Sequence, residues 1–138
     1  MKKKLDHIGI AVRNIEDSIE FHTKVLGGKL VDRYRSEAEG VESEIAVIDL
    51  DGDRTELLMP TNNTTSPIAR FIKQKGKGVH HIAYRVDDLD KALKELEQEG
   101  IRTLEWSRRT NKHGRRLIYL NPADTEGTII EYCDYPNQ

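Results

Sequence analysis

The chain has 138 residues, a formal net charge of −2, and 36% hydrophobic against 33% charged residues. That length suits one compact domain, residues 1–138, and leaves little room for an assembly of several. A near-neutral balance gives no electrostatic reason to expect nucleic acid or an anionic membrane as partner, and so few apolar residues have to be placed in strongly amphipathic elements.

The opening Met-Lys-Lys-Lys could begin a secretory signal, but the apolar stretch that should follow is broken by Asp6, His7, Arg13 and Asn14. No apolar run approaches the roughly 20 residues of a spanning helix. The single cysteine, Cys133, cannot form an internal disulfide. A cytoplasmic, reduced setting is therefore expected, with Cys133 a packed thiol among aromatic and aliphatic neighbours.

In chain order, Asp6-His7-Ile8-Gly9-Ile10-Ala11-Val12 alternates as a strand with two unlike faces does. Asn14 then caps a helix over about residues 14 to 27, with Ile15, Ile19, Val25 and Leu26 as its stripe and Gly27-Gly28 as its stop. Strands follow over 29 to 36, 42 to 50 and 54 to 60, with Asp51-Gly52 as the hairpin turn between the last two. Ser66 and Pro67 open a short helix ending near Gly76, with Ile68, Phe71 and Ile72 on its buried side. After a second strand at 80 to 86, Asp88 caps a helix that carries Leu89, Ala92, Leu93 and Leu96 and ends at Gly100. Strands are expected at 102 to 106, 115 to 121 and 127 to 134, with Asn121-Pro122-Ala123-Asp124 and Gly127 in the last turn.

This order is written twice. His80-His81-Ile82-Ala83-Tyr84-Arg85-Val86 repeats the first strand at an offset of 74 without a gap, and the two helices superpose at the same offset. The expected fold is α+β: a βαβββ module over 1–62, a linking helix at about 66–76 and a second βαβββ module over 78–138, together forming a cupped eight-stranded mixed sheet.

Within the repeat, His7 shares a face with Gly9 and Ala11 while Ile8, Ile10 and Val12 turn to the helix, so the imidazole points to the other face. His81 has the same parity. The last strand of each half carries one carboxylate in an apolar run, Glu56 and Glu131, at 49 and 50 residues from the preceding histidine. Two imidazoles and two carboxylates in equivalent places form a mixed nitrogen and oxygen ligand set for one divalent ion, for which zinc, cobalt, nickel, manganese and iron are all candidates. His22, His80 and His113 lack that symmetry and are not assigned as ligands.

With these residues the chain resembles the vicinal oxygen chelate superfamily, which includes glyoxalases, methylmalonyl-CoA epimerases, extradiol dioxygenases and fosfomycin and bleomycin resistance proteins. The resemblance implies paired βαβββ modules around a metal held by His7, Glu56, His81 and Glu131, and a homodimer. It is closest to the methylmalonyl-CoA epimerases, through Leu5 to Val12, Glu56 to Pro60, Ser66-Pro67-Ile68-Ala69-Arg70-Phe71, Gly78 to Tyr84 and Ile130 to Cys133. The chain departs from that family at Arg108-Arg109-Thr110-Asn111-Lys112-His113-Gly114 and at Asn121-Pro122-Ala123.

What the resemblance implies chemically is abstraction of a proton α to a thioester carbonyl, with Glu131 serving one face of the carbon and Glu39 the other. Glu42 and Glu44 compete with Glu39 for the second role. The basic residues Arg102, Arg108, Arg109, Lys112, Arg115 and Arg116 could meet coenzyme A phosphates, Arg109 and Lys112 being the candidate substrate contacts, or could form a solvated hairpin rim. Trp106 and Tyr34 pack either on a ligand or in the core. The alternatives are a lactoylglutathione lyase of the glyoxalase I kind and a non-catalytic ligand-binding protein of the resistance kind.

Overall fold

A computed structural model describes residues 2–38, 42–62 and 66–138. These form β1 (Lys3–Ala11), α1 (Ile15–Glu20), β2 (Lys29–Ser36), β3 (Ser43–Leu50), β4 (Asp53–Pro60), α2 (Pro67–Lys75), β5 (Gly78–Val86), α3 (Leu89–Gln98), β6 (Thr103–Thr110), β7 (Arg116–Leu120) and β8 (Ile130–Asp134). The order is the α+β arrangement that the repeat implies, and hydrogen bonding joins the strands into one mixed sheet in the order β2-β3-β4-β1-β5-β8-β7-β6. Among the described residues no helix is long and apolar enough to cross a membrane.

The chain divides into two compact units, His7–His80 and the N-terminal residues through Asp6 with His81–Gln138. In the first, β4 lies parallel to β1 and antiparallel to β3, which pairs antiparallel with β2. The period-2 pattern puts Ile10, Val12, Ala46, Ile48, Leu57 and Met59 against Ile15 and Ile19 of α1. The opposite face buries Ala11, Ile45, Val47 and Leu58 beneath Ile68, Phe71 and Ile72 of α2, and Tyr34 joins this core. Asn14 accepts from the Asp17 amide at 3.1 Å, and Ser66 accepts from those of Ile68 and Ala69, as the capping pattern requires.

The α1 helix is shorter than its apolar stripe. At Phe21–Val25 it widens into a π-helical turn. There the Thr23 hydroxyl and His22 Nδ1 donate to the carbonyls of Ile19 and Ser18, both at 2.8 Å, so side chains compete for acceptors of the helical ladder. Gly27 then reverses the chain at φ +79°, and a Cβ on Gly28 would lie only 2.6 Å from Ile48 Cγ2. Asp51 and Gly52 have φ of 51° and 96°, the conformation of the two-residue hairpin turn.

The second unit repeats the plan, with β8 parallel to β5 and antiparallel to β7, and β6 at the edge. Tyr84, Val86, Ile118, Leu120 and Tyr132 pack on Leu89, Ala92, Leu93 and Leu96 of α3. The other face carries Leu117, Tyr119 and Cys133 with Leu104, Ile129 and Tyr135. Cys133 is fully buried, as expected of a packed thiol.

In the second unit, two strand boundaries differ by three residues or more from the sequence expectation. The β6 strand continues to Thr110, past the expected end at 106, because it carries an irregularity between Leu104, opposite Tyr119, and Arg109, opposite Leu117. In it, the buried Ser107 hydroxyl donates to the Leu104 carbonyl and accepts from the Tyr119 amide at 2.9 Å, so a side chain replaces a missing ladder partner. Arg108 to Thr110 are thus strand and not loop. The last strand begins at Ile130 and not at 127, since Glu126 and Gly127 both have positive φ.

Candidate metal centre and active site

Each unit carries one half of the expected ligand set. In the first, the parallel register places Gly9 opposite Glu56. In the second, Ala83 is opposite Glu131. Both small residues lie two positions after a histidine and on its face, so the imidazole and the neighbouring strand's carboxylate converge over a residue that leaves them room. His7 Nε2 lies 3.6 Å from Glu56 Oε1 and His81 Nε2 lies 3.5 Å from Glu131 Oε1. All four side chains are buried.

These separations test the fit to a metal. A direct imidazole–carboxylate hydrogen bond would close to about 2.7–3.2 Å. Two ligands on one tetrahedral ion with bonds of about 2.1 Å stand about 3.4 Å apart, the edge of the tetrahedron. Each pair presents one borderline nitrogen and one hard oxygen at close to that edge length, a donor set suited to a divalent transition metal.

The other histidines have ordinary packing. His22 bonds within its helix, and His80 meets the Phe71 ring edge-on at 5.0 Å. His113 sits in the turn after β6, where its amide donates to Asn111 Oδ1.

Glu39 lies outside the described residues. Of its two competitors, Glu44 is removed by strand parity: it sits on the α1 face with Ala46 and Ile48, bound to Arg33 at 2.7 Å, and Arg33 also binds Glu16 of α1. That pairing holds the Glu16 carboxyl below the usual range.

The basic stretch separates into structural and available groups. Arg102 donates three hydrogen bonds to Asp124 and lowers that carboxyl's pKa. Arg108 pairs with Asp90, and Arg116 with Asp90 and Asp134. Arg115 is not a rim residue, because it shares the inner parity of Leu117 and Tyr119 and is buried between Asp6 and Glu131. Sequence reading missed this, although that parity was a signal for it.

Arg109 is placed differently. Its guanidinium donates to the Ser107 carbonyl and lies 5.9 Å from the centre of the Tyr119 ring. Tyr119 is 5.5 Å from the His81 ring, and Trp106, 52% exposed, meets Tyr119 edge-on. Arg109, Trp106 and Tyr119 therefore form a cationic and aromatic wall beside His81, built on the β6 irregularity. Lys112 is exposed in the turn that follows.

Comparison with known proteins shows the family. The family model of the Glyoxalase/Bleomycin resistance protein/Dioxygenase superfamily matches residues 6–119. Human mitochondrial methylmalonyl-CoA epimerase is 33% identical over 129 residues, 93% of this chain and 72% of that protein. A hypothetical protein of Bacillus halodurans superposes with a TM-score of 0.90 at 32% identity, covering 100% of this chain and 98% of that one. A variant of Streptomyces coelicolor methylmalonyl-CoA epimerase, in complex with 2-nitronate-propionyl-CoA, does so with a TM-score of 0.84 at 28% identity, covering 97% and 95%. The chain belongs to the glyoxalase/bleomycin resistance protein/dioxygenase superfamily, and its relatives include methylmalonyl-CoA epimerases.

Proposed function

We propose that this chain is a divalent-metal-dependent epimerase that moves the proton on the carbon α to a thioester carbonyl, with methylmalonyl-CoA as substrate. The observation that carries the reading is the pair of buried His–Glu couples, at 3.6 and 3.5 Å, in the same register of two repeated units. Their equivalence supports a single ion held by His7, Glu56, His81 and Glu131 within one domain of two modules. The human relative's activity and the acyl-CoA analogue bound to the S. coelicolor protein support the substrate class.

A divalent ion held there would supply Lewis acidity, polarising the thioester carbonyl and making the α-proton removable. Glu131 takes or returns that proton on one face of the carbon, through the carboxylate beside His81. Glu39 does so on the other, since inversion needs an acid–base group on each side. Tyr119 and Trp106 wall the site and limit water at the reacting carbon. Arg109 and Lys112 meet the coenzyme A phosphates, Arg109 by the planar fork that suits them. A cytoplasmic homodimer completes the reading, and the exposed Phe21, Val25 and Leu26 after α1 and Leu30 and Val31 in β2 support the association of two copies.

The test is exchange of the α-proton of methylmalonyl-CoA into deuterated water with metal-loaded protein. Metal-dependent exchange with epimerisation is expected. Absence of exchange together with turnover of a glutathione hemithioacetal would replace the epimerase by a lyase. A metal-free protein indifferent to Glu56→Gln and Glu131→Gln would replace it by a binding protein.

A further inference from the structure

A buried polar cluster stands behind Glu131, all of it within the second unit. Glu131 is 1% exposed and Arg115 7%. The two oxygens of the Glu131 carboxylate face different partners: Oε1 is 3.5 Å from His81 Nε2, and Oε2 is 3.8 Å from Arg115 Nε. Arg115 Nη1 lies 3.7 Å from Asp6 Oδ2, and Asp6 Oδ1 accepts from the Tyr135 hydroxyl at 2.9 Å. Burial raises the Tyr135 pKa, so that hydroxyl stays a donor. The backbone beneath is fixed as well, since Arg115 donates to Asn111 Oδ1 at 3.0 Å and Asn111 donates to the Arg115 carbonyl at 2.8 Å.

Burying a guanidinium with two carboxylates carries a desolvation cost that apolar residues of the same volume would not, so stability alone does not explain it. Its value must then lie in what it orients. A carboxylate can hold a metal through one oxygen or both. With Oε2 within ion-pair range of a buried guanidinium, Oε1 faces His81 Nε2.

We propose that Arg115 is a positioning residue: it holds Glu131 so that Oε1 alone is presented to the metal, with Asp6 and Tyr135 fixing the guanidinium. This rests on the metal reading above and is independent of which thioester is turned over. The experiment measures affinity of the metal-stripped full chain for Co²⁺ and Zn²⁺ by competition with a chromophoric chelator, together with the Co²⁺ absorption spectrum and the melting temperature. Arg115→Met is expected to weaken metal affinity by about 10- to 100-fold and to shift the Co²⁺ bands. Arg115→Lys keeps the charge but not the fork and should recover only part of the loss.

The double variant Asp6→Asn/Arg115→Met removes the stranded Asp6 charge. It should recover melting temperature while affinity stays weak, which separates positioning from folding. Wild-type affinity in Arg115→Met, or recovery of affinity in the double variant, overturns the proposal. A wild-type chain that binds neither ion overturns the metal reading itself. Failure of methylmalonyl-CoA exchange with metal affinities ordered as expected overturns only the substrate.

Discussion

Replacing Asp134 with asparagine tests the strut that fixes the strand carrying Glu131. Asp134 is buried and accepts from the Leu89 amide, at the first turn of α3, at 2.8 Å. It also accepts from Arg116 Nε at 2.8 Å and from Arg116 Nη2. Removing one partner of a buried ion pair costs about 3–5 kcal/mol when the other is stranded. Here Arg116 is 30% exposed and retains Asp90 at 3.0 Å, and asparagine keeps a carbonyl for Leu89, so the expected loss is about 2 kcal/mol. That corresponds to a fall in Tm of roughly 6–8 °C.

The pH dependence of that loss has a definite sign. Burial raises the Asp134 carboxyl, but the hydrogen bonds from Arg116 and Leu89 outweigh it and hold it below its ordinary 3.8. A pKa lowered in the folded state gives stability that is fully present above the unfolded value and is lost as pH falls through the folded one. Urea denaturation of both proteins at pH 7, 5 and 3.5 should show an equal gap at the first two and a smaller one only at the third. A gap already shrinking between pH 7 and 5, or one under about 0.5 kcal/mol at pH 7, would refute the reasoning.

Glu39→Gln should lower α-proton exchange by about 10²- to 10⁴-fold, whereas Glu44→Gln, bound to Arg33 on the α1 face, should leave kcat within a factor of about two. Steady-state kinetics of the two variants side by side decide it. Joint replacement of Arg109 and Lys112 by alanine should raise KM for a coenzyme A thioester and leave a pantetheine thioester unaffected, since only the former carries the nucleotide phosphates. Ser107→Ala removes the acceptor of the buried Tyr119 amide and should cost about 1–3 kcal/mol in chemical denaturation. Glu131→Gln should abolish exchange even at saturating metal, while Glu56→Gln should weaken metal binding and keep measurable turnover.

Much of this was legible because it depends on short periods. The parity of His7, Gly9 and Ala11, the caps Asn14, Ser66 and Asp88, and the 74-residue offset need only local reading, and each reappears in the fold as the sequence implies. The β6 irregularity was not legible, because Arg108-Arg109-Thr110 shows no apolar alternation, and the strand passes the irregularity with Ser107 supplying the acceptor for Tyr119. The role of Arg115 was hidden by distance along the chain: Tyr135 and Asp6 lie 129 positions apart, and no periodicity links them.

That hidden contact is also where the repeat breaks. Tyr135 stands four residues after Glu131, and the residue four after Glu56 is Pro60, which has no hydroxyl to give; the counterpart of Asp6 at the 74-residue offset is His80, packed on Phe71. Duplication thus accounts for what the two carboxylates share, a buried place beside an imidazole. It does not account for Arg115 beside Glu131 Oε2, since the equivalents of Asp6 and Tyr135 in the first unit are of other chemistry. The asymmetry is therefore carried by residues outside the repeat, and the Arg115 substitutions test whether it sets how Glu131 is presented.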